Sequence, residues 1–122
     1  VAEGLPSAEV YQVIKDKKGF LWFGTDNGVV RFDGGNFEVF NLEQGLLDPV
    51  VFGLHEDNSG RIWFRSFTGK LAYFYNDQIH PYKDNSLIQK YTKNAVISGL
   101  TYDSLENLNL SINNRFIRID AS

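Results

Sequence analysis

The feature that most constrains this chain is a ten-residue segment that occurs twice. Residues 19–28 read Gly-Phe-Leu-Trp-Phe-Gly-Thr-Asp-Asn-Gly, and residues 60–69 read Gly-Arg-Ile-Trp-Phe-Arg-Ser-Phe-Thr-Gly. Each copy has a glycine at both ends and an apolar, aromatic centre that is too short for a helix. That pattern is typical of a buried strand between two tight turns. Because the copies start 41 residues apart, the chain is predicted to be built from repeats.

The similarity extends beyond this segment. Residues 4–28 and 45–69 share eight identical residues in 25 positions, and four further pairs are conservative. The identities in the second copy are Gly45, Leu46, Val51, Asp57, Gly60, Trp63, Phe64 and Gly69; the conservative pairs are Tyr11/Phe52, Val13/Leu54, Leu21/Ile62 and Thr25/Ser66. After Gly69 the offset becomes 42, and a weaker third copy follows the second at an offset of 46, with Asn109 in the tryptophan position.

Each full repeat contains four short strand signals separated by turns. In the first repeat the β-branched and aromatic runs are residues 10–14, 20–25, 29–32 and 37–40. Asp16 and Gly19 occupy the first and fourth positions of a predicted type I turn, and Asn27-Gly28 is a strong hairpin signal. Residues 83–94 are the most polar stretch and are predicted to be a longer connection.

A repeat of about 40 residues with four strands is typical of a β-propeller blade. We therefore predict an all-β fold of about three four-stranded antiparallel meanders, which form an incomplete propeller. The predicted boundaries are blade 1 at residues 1–44, blade 2 at residues 45–86, and a degenerate or truncated blade 3 at residues 87–122. A β-sandwich is the alternative fold, but it gives no reason for a Gly–Trp–Gly frame to recur at fixed spacing.

Composition excludes several classes of function. A hydrophobic fraction of 43% with 15% aromatic residues favours a folded core. The net charge is −3 and the basic residues are scattered, so a nucleic-acid partner is not expected. No apolar run approaches the roughly 20 residues that span a bilayer, so this segment is not expected to contact a membrane. The chain has no cysteine, which excludes disulfides and cysteine-based metal sites, and no cofactor is predicted.

At residues 10–40 the pattern becomes specific. It reads Asp16-x-x-Gly19-x-Leu21-Trp22-Phe23-Gly24-Thr25-x-x-Gly28-Val29-x-Arg31-Phe32-Asp33-Gly34. This sequence resembles the two-component regulator propeller repeat, which occurs in periplasmic sensor regions of bacterial histidine kinases and hybrid two-component systems. In that family a propeller of about seven blades is typically followed by a β-sandwich, a transmembrane helix and the kinase. The resemblance implies a periplasmic, non-catalytic sensor segment of a membrane-anchored protein.

The repeated residues have structural explanations. Trp22 and Trp63 could stack on sugars, but their positions in mid-strand between apolar neighbours favour packing between blades. Asp16 and Asp57 could act as an acid–base pair, but each precedes a glycine by three residues, so turn formation explains both. We interpret eight residues as structural positions of the repeat: Asp16, Gly19, Trp22, Gly28, Asp57, Gly60, Trp63 and Gly69.

Few residues are candidates for a functional site. No catalytic motif is present, and the two histidines lie 25 residues apart without the spacing of metal ligands. The second repeat departs from the first at its 66–69 turn, and Arg65 stands where the first repeat has Gly24. We expect four residues to gather near this turn, where solvated surface or an interface is the favoured interpretation and a ligand-binding site is the alternative: Arg65, Phe67, Tyr73 and Tyr75.

An arc of three blades cannot close a usual propeller. Its outermost sheet edges would keep unpaired backbone groups, and such edges pair with other chains. We therefore expect self-association through open sheet edges.

Two functions remain open at this stage. The resemblance implies an extracytoplasmic domain that senses a small-molecule or glycan ligand and relays the signal across the membrane to a kinase. The alternative is a free-standing propeller scaffold, or a non-catalytic part of a propeller enzyme. The residues themselves do not separate these functions, because the blade is a scaffold onto which sites are grafted.

Overall fold

The computed structural model describes residues 9–92, 96–102, 107–112 and 115–120, and these residues form three antiparallel sheets. Each sheet is a meander in which strands that follow one another in the chain pair side by side. The prediction of an all-β fold built from antiparallel meanders is therefore confirmed. Blade 1 contains β1 (Val10–Lys15), β2 (Leu21–Thr25), β3 (Gly28–Phe32) and β4 (Phe37–Phe40); blade 2 contains β5 (Val51–Glu56), β6 (Ile62–Ser66), β7 (Leu71–Tyr75) and β8 (Gln78–Pro81).

Blade 3 has three strands in the part of the chain that the structure describes. They are β9 (Gly99–Tyr102), β10 (Leu108–Ile112) and β11 (Arg115–Ile119), with β10 in the centre. A helix, α1 (Asn85–Thr92), precedes them. The polar connection predicted at residues 83–94 is therefore largely helical, and one reason is tertiary. The Asn85 side-chain amide pairs with both the N–H and the C=O of Leu71, at 2.9 Å each, and Ile88 is buried against blade 3.

Among the residues described, none forms a helix with the length and hydrophobicity needed to cross a bilayer.

The hairpin between β7 and β8 shows how local sequence sets the strand connections. Asn76 and Asp77 adopt φ angles of 51° and 63°, in the left-handed region. A two-residue type I′ turn requires positive φ at both central positions, and asparagine and aspartate tolerate it better than other non-glycine residues.

The innermost strands of the three blades are neighbours: β1 contacts β5, and β5 contacts β9. The Gln12 side-chain carbonyl accepts a hydrogen bond from the Leu54 N–H at 2.6 Å, which joins β1 to β5. Both β1 and β5 contain a bulge at the same repeat position, because the register shifts at Tyr11 and again at Phe52. The two repeats therefore share their β-bulges as well, although no sequence signal predicts these bulges.

Two apolar cores hold the blades together. The first lies between blades 1 and 2, and the second lies between blade 2, α1 and blade 3. Trp22 faces the first core and Trp63 the second, so each tryptophan packs toward the following blade. The first core also contains Val29, Phe40, Leu46, Val51, Leu54, Ile62, Phe64, Ala72 and Phe74; the second contains Leu71, Tyr82, Ile88, Ile97, Leu100, Leu108, Leu110 and Ile112.

The two blade junctions differ at one repeat position. In the first junction a Cβ on Gly24 would lie 2.8 Å from the Val51 carbonyl oxygen, so only glycine allows this approach. In the second junction Arg65 replaces the glycine, and its Nη1 donates to the Ile97 carbonyl oxygen at 2.7 Å. Ile97 is the residue that corresponds to Val51 in the third repeat. In the second junction the Arg65 guanidinium therefore connects the two blades, whereas in the first junction the two backbones approach each other directly.

The close approach at Gly24 gives a stability prediction. Gly24→Ala is expected to lower the free energy of unfolding by about 1–3 kcal/mol, because the new methyl group must displace the backbone of β5. Gly35→Ala is the matched control, since its Cβ would meet only the Asp33 carboxylate, at 3.8 Å. Its effect should stay within about 0.5 kcal/mol. Urea unfolding of both variants measures the difference, and equal effects would contradict a tight first junction.

Candidate functional site

The repeated aspartate and tryptophan of each blade are hydrogen-bonded to each other. Asp16 Oδ2 accepts from the Trp22 indole N–H at 2.8 Å, and Asp57 Oδ2 accepts from the Trp63 indole N–H at 2.9 Å. The other oxygen of each carboxylate accepts two backbone N–H groups of the adjoining turn, at 2.8–3.0 Å. All four side chains are buried. Each carboxylate therefore shapes its turn and also fixes the orientation of the blade's central tryptophan.

In blade 2 this carboxylate is also part of an ion pair. Arg61 Nε donates to Asp57 Oδ2 at 2.7 Å. Burial by itself would raise the pKa of Asp57, but the hydrogen bonds from Trp63 and Arg61, together with the charge of Arg61, hold this pKa below its ordinary value. The folded blade therefore stabilises the ionised form of the Asp57 carboxylate.

An arginine lies over the tryptophan in both blades, but it comes from different repeat positions. In blade 1 the Arg31 guanidinium lies 5.4 Å from the Trp22 ring centroid and 4.9 Å from that of Phe20. In blade 2 Arg61 stands at the repeat position of Phe20 and Tyr73 at that of Arg31. The Arg61 guanidinium lies 5.9 Å from the Trp63 ring and 5.7 Å from Tyr73. The cation and the aromatic ring have exchanged positions while the cation–π contact is kept.

A cleft of about 730 Å³ opens between blades 1 and 2. It lies at the end of the sheets where the turns before β2 and β6 and the β7–β8 hairpin meet. Buried or half-buried residues form its floor, and exposed polar residues form much of its rim. The floor includes Phe20, Trp22, Arg31, Ile62 and Phe74, and the rim includes Lys17, Lys18, Asn58, Ser59, Tyr75, Asn76 and Asp77.

Arg31 is the central charged group of this cleft. Its guanidinium also lies 5.1 Å from the Phe74 ring of blade 2, and it forms an ion pair with Glu38. At the rim the Lys17 N–H donates to a Glu56 carboxylate oxygen at 3.0 Å, which joins the two blades. The cleft therefore combines aromatic rings with charges of both signs and with amide and hydroxyl groups. Such a lining suits a ligand that presents apolar faces and many hydrogen-bonding groups.

The cleft offers groups that can bind a ligand. The carboxylate of Asp16 is occupied by the indole of Trp22 and by the turn amides. Within the described part of the chain, no three His, Asp or Glu residues are grouped so that they could hold a metal ion.

The four candidate ligand residues do not come together, which corrects the expectation that they gather at one turn. Arg65 pairs with Leu71 across the ladder, so Tyr75 lies four residues farther along β7, about 13 Å away. Tyr75 lines the cleft, whereas Phe67 is exposed at the opposite end of the blade. Tyr73 packs against Trp63, with ring centroids 4.9 Å apart. A ligand-binding role for these residues stays a prediction.

Burial changes the interpretation of Arg65 most. Its guanidinium covers the Gly53 backbone and bonds to blade 3, and desolvation lowers its pKa. Phe20 and Arg31, which lie in the floor of the cleft, are not among the candidate residues predicted from the sequence. A signal for both was present, because the exchange of Phe20/Arg31 for Arg61/Tyr73 is visible when the repeats are aligned.

Comparison with known proteins agrees with this geometry. Residues 4–27 match the family described as the two component regulator propeller. The resemblance inferred from the Gly–Trp–Gly frame is therefore confirmed for this part of the chain. No curated protein sequence matches the chain.

Solved structures extend the likeness to nearly the whole chain. The extracellular domain of BT3049 from B. thetaiotaomicron, assigned as a hybrid two component system, is 22% identical with a TM-score of 0.73 and covers 98% of this chain. Two structures of the extracellular domain of BT4673 from the same organism, assigned as a one component system in one and a hybrid two component system in the other, are 23% identical, with TM-scores of 0.70 and 0.67 over 96% and 99% of this chain. The chain spans only 16–17% of the length of those chains. Because the identity is also low, the likeness establishes the fold alone.

The ion pair between Asp57 and Arg61 in blade 2 predicts how the stability of the protein depends on pH. Because the pKa of Asp57 is lower in the folded protein than the unfolded value near 3.9, its contribution is present above that pH and is lost as pH falls through the folded-state pKa. Asp57→Asn should lower the free energy of unfolding at pH 7 by about 2–4 kcal/mol, since charged hydrogen bonds to Trp63 and Arg61 are removed.

Denaturant unfolding of parent and variant between pH 2 and pH 7 would measure this effect. The stability difference should shrink toward the acid end of the series. The exposed Asp120, which is ion-paired with Arg118 at 2.9 Å, provides the control. Asp120→Asn should change the free energy by less than about 1 kcal/mol at every pH. A constant difference for Asp57→Asn would show that its charge is unimportant.

Proposed function

We propose that this chain is part of the extracytoplasmic, ligand-sensing propeller of a two-component sensor, located in the periplasm and coupled to a histidine kinase. The observation that carries the proposal is the superposition of 98% of the chain on an extracellular domain assigned to a hybrid two component system. The two-component regulator propeller match at residues 4–27 supports it independently. In this function the segment binds and transmits, and catalysis belongs to the kinase.

The ligand site that the geometry favours is the cleft between blades 1 and 2. A glycan fits its chemistry, because sugar rings offer apolar faces to aromatic side chains and hydroxyl groups to polar ones. Tyr75 and Lys17 stand exposed at the rim, and Arg31 lies deeper. A ligand in this cleft would touch both blades and could therefore distinguish between two arrangements of them. Signal transfer requires such a difference in binding free energy between the two states of the sensor.

Binding to labelled oligosaccharides of two to six sugars, both neutral and anionic, tests the cleft. For any oligosaccharide that binds, Tyr75→Ala and Lys17→Ala should weaken the affinity about tenfold, which corresponds to about 1.4 kcal/mol. Phe116→Ala is the matched control, because Phe116 is an exposed aromatic residue on blade 3, 88% accessible to solvent. An affinity that falls equally in the control, or in no variant, would remove the cleft as the glycan site.

The coupling to a kinase is tested by the complete reading frame of the parent gene. We expect further blades, one apolar span of about 20 residues and a histidine-kinase module downstream of residue 122. A frame that ends after a closed propeller, without a membrane span, would instead favour a free-standing scaffold. This result is independent of the oligosaccharide experiment, so the two parts of the proposal can fail separately.

A further inference from the structure

Three aromatic side chains form a row at the end of the sheets opposite the cleft. The ring centroids of Tyr11 and Phe52 lie 4.9 Å apart, and those of Phe52 and Phe67 lie 6.0 Å apart, with neighbouring rings in edge-to-face contact. Tyr11 is 38% exposed and Phe67 is 56% exposed, while Phe52 between them is half-buried. The row thus crosses from blade 1 to blade 2 and presents ring surface to solvent.

Backbone irregularity places the first two rings of this row. Tyr11 is the extra residue between the ladder pairs of Val10 and Gln12, and Phe52 is the extra residue between those of Val51 and Gly53. A bulge of this kind redirects the side chain of the unpaired residue, and bulges are frequent next to binding sites. That both blades keep the bulge and place an aromatic residue on it argues against chance exposure.

A backbone hydrogen bond fixes the position of the third ring, that of Phe67. The Phe67 N–H donates to the Val50 carbonyl oxygen at 3.1 Å, which fastens the 66–69 turn to the segment that enters β5. The same bond recurs in blade 1, where the Asp26 N–H donates to the Glu9 carbonyl oxygen at 3.3 Å. The rings therefore project from two strands and a turn that are tied together, which is the arrangement of a pre-formed surface.

The charge beside the row is negative. Desolvation, the carboxylates of Glu9 and Asp26, and a hydrogen bond to Glu9 raise the pKa of the exposed Tyr11. Residues 1–14 contain no lysine or arginine. Arg65 is the cation nearest to Phe52 in the ladder, but it lies over Gly53 and donates to Ile97. A positively charged group beside Tyr11 would meet an exposed aromatic ring and two carboxylates, which would disfavour an anion.

We propose that the Tyr11–Phe52–Phe67 row is a second binding site and that it takes an organic cation. The ammonium or guanidinium group would lie against the aromatic rings, with Glu9 and Asp26 as counter-charges. Cations are attracted to aromatic faces, and nearby carboxylates add to that attraction. The site is distinct from the cleft, because it lies at the 25–28 and 66–69 turns rather than at the turns before β2 and β6.

Titration of the full chain with choline, followed by NMR, tests the proposal. Choline should shift the aromatic resonances of Tyr11, Phe52 and Phe67, with low-millimolar affinity that weakens as salt is added. Its neutral isostere 3,3-dimethylbutan-1-ol should bind at least fivefold more weakly. Nα-acetyl-lysine methylamide, whose ε-ammonium group is free, is added as a third probe, because a preference between it and choline separates a protein side chain from a small quaternary ammonium ion as the source of the cation.

Two variants and one control decide the result. Phe67→Ala removes an exposed ring, and Glu9→Gln with Asp26→Asn removes the two charges while keeping similar side-chain shapes; each should weaken choline binding at least fivefold. Phe116→Ala should leave it unchanged. Should Phe67→Ala fail to fold, the charge variant still decides, since both of its side chains are exposed. Equal binding of the neutral isostere, no shift with either cation, or unchanged affinity in the charge variant would overturn the proposal.

Discussion

A carboxylate that accepts the indole N–H of a buried tryptophan organises each of the first two blades. Burying an indole without a partner for its N–H is costly, and burying an unpaired carboxylate is more costly still. In the pairs Asp16–Trp22 and Asp57–Trp63 each group satisfies the other, while the second carboxylate oxygen closes the turn that leads into the tryptophan strand. Turn formation, strand position and core packing thus depend on the same two residues in each repeat.

Two differences between the repeats fall at or near the blade junctions. Gly24 allows the β5 backbone to approach at the first junction, whereas Arg65 bridges to Ile97 at the second. The arginine above the tryptophan comes from β3 in blade 1 and from the turn before β6 in blade 2. Each blade junction and each arginine–tryptophan contact is kept, but the side chains that reach the surface differ between the two blades. The cleft between blades 1 and 2 owes its central cation, Arg31, to this exchange.

Much of the fold could be predicted from the sequence because its signals are local and repeated. The spacing of Gly19, Trp22 and Gly28 specifies a strand between two turns, and its recurrence 41 residues later specifies a second blade. The helix α1 was harder to predict, because it depends on the distant bonds between Asn85 and the β7 backbone. The candidate site was predicted least well. The sequence leaves Arg65 open to a surface, interface or ligand-binding role, and only the structure places its guanidinium at a blade junction.

The sequence by itself determined the all-β class, the repeat unit and the residues that close its turns, because these follow from side chains a few positions apart. Only the tertiary structure decided which surfaces are available for binding. Arg31 becomes the centre of a cleft because Phe74 of the next blade lies 5.1 Å away. Tyr11 and Phe52 reach solvent because bulges displace them from the alternation of their strands. The first outcome depends on a contact between blades that joins residues about forty positions apart, and the second depends on how the strands pair within each blade.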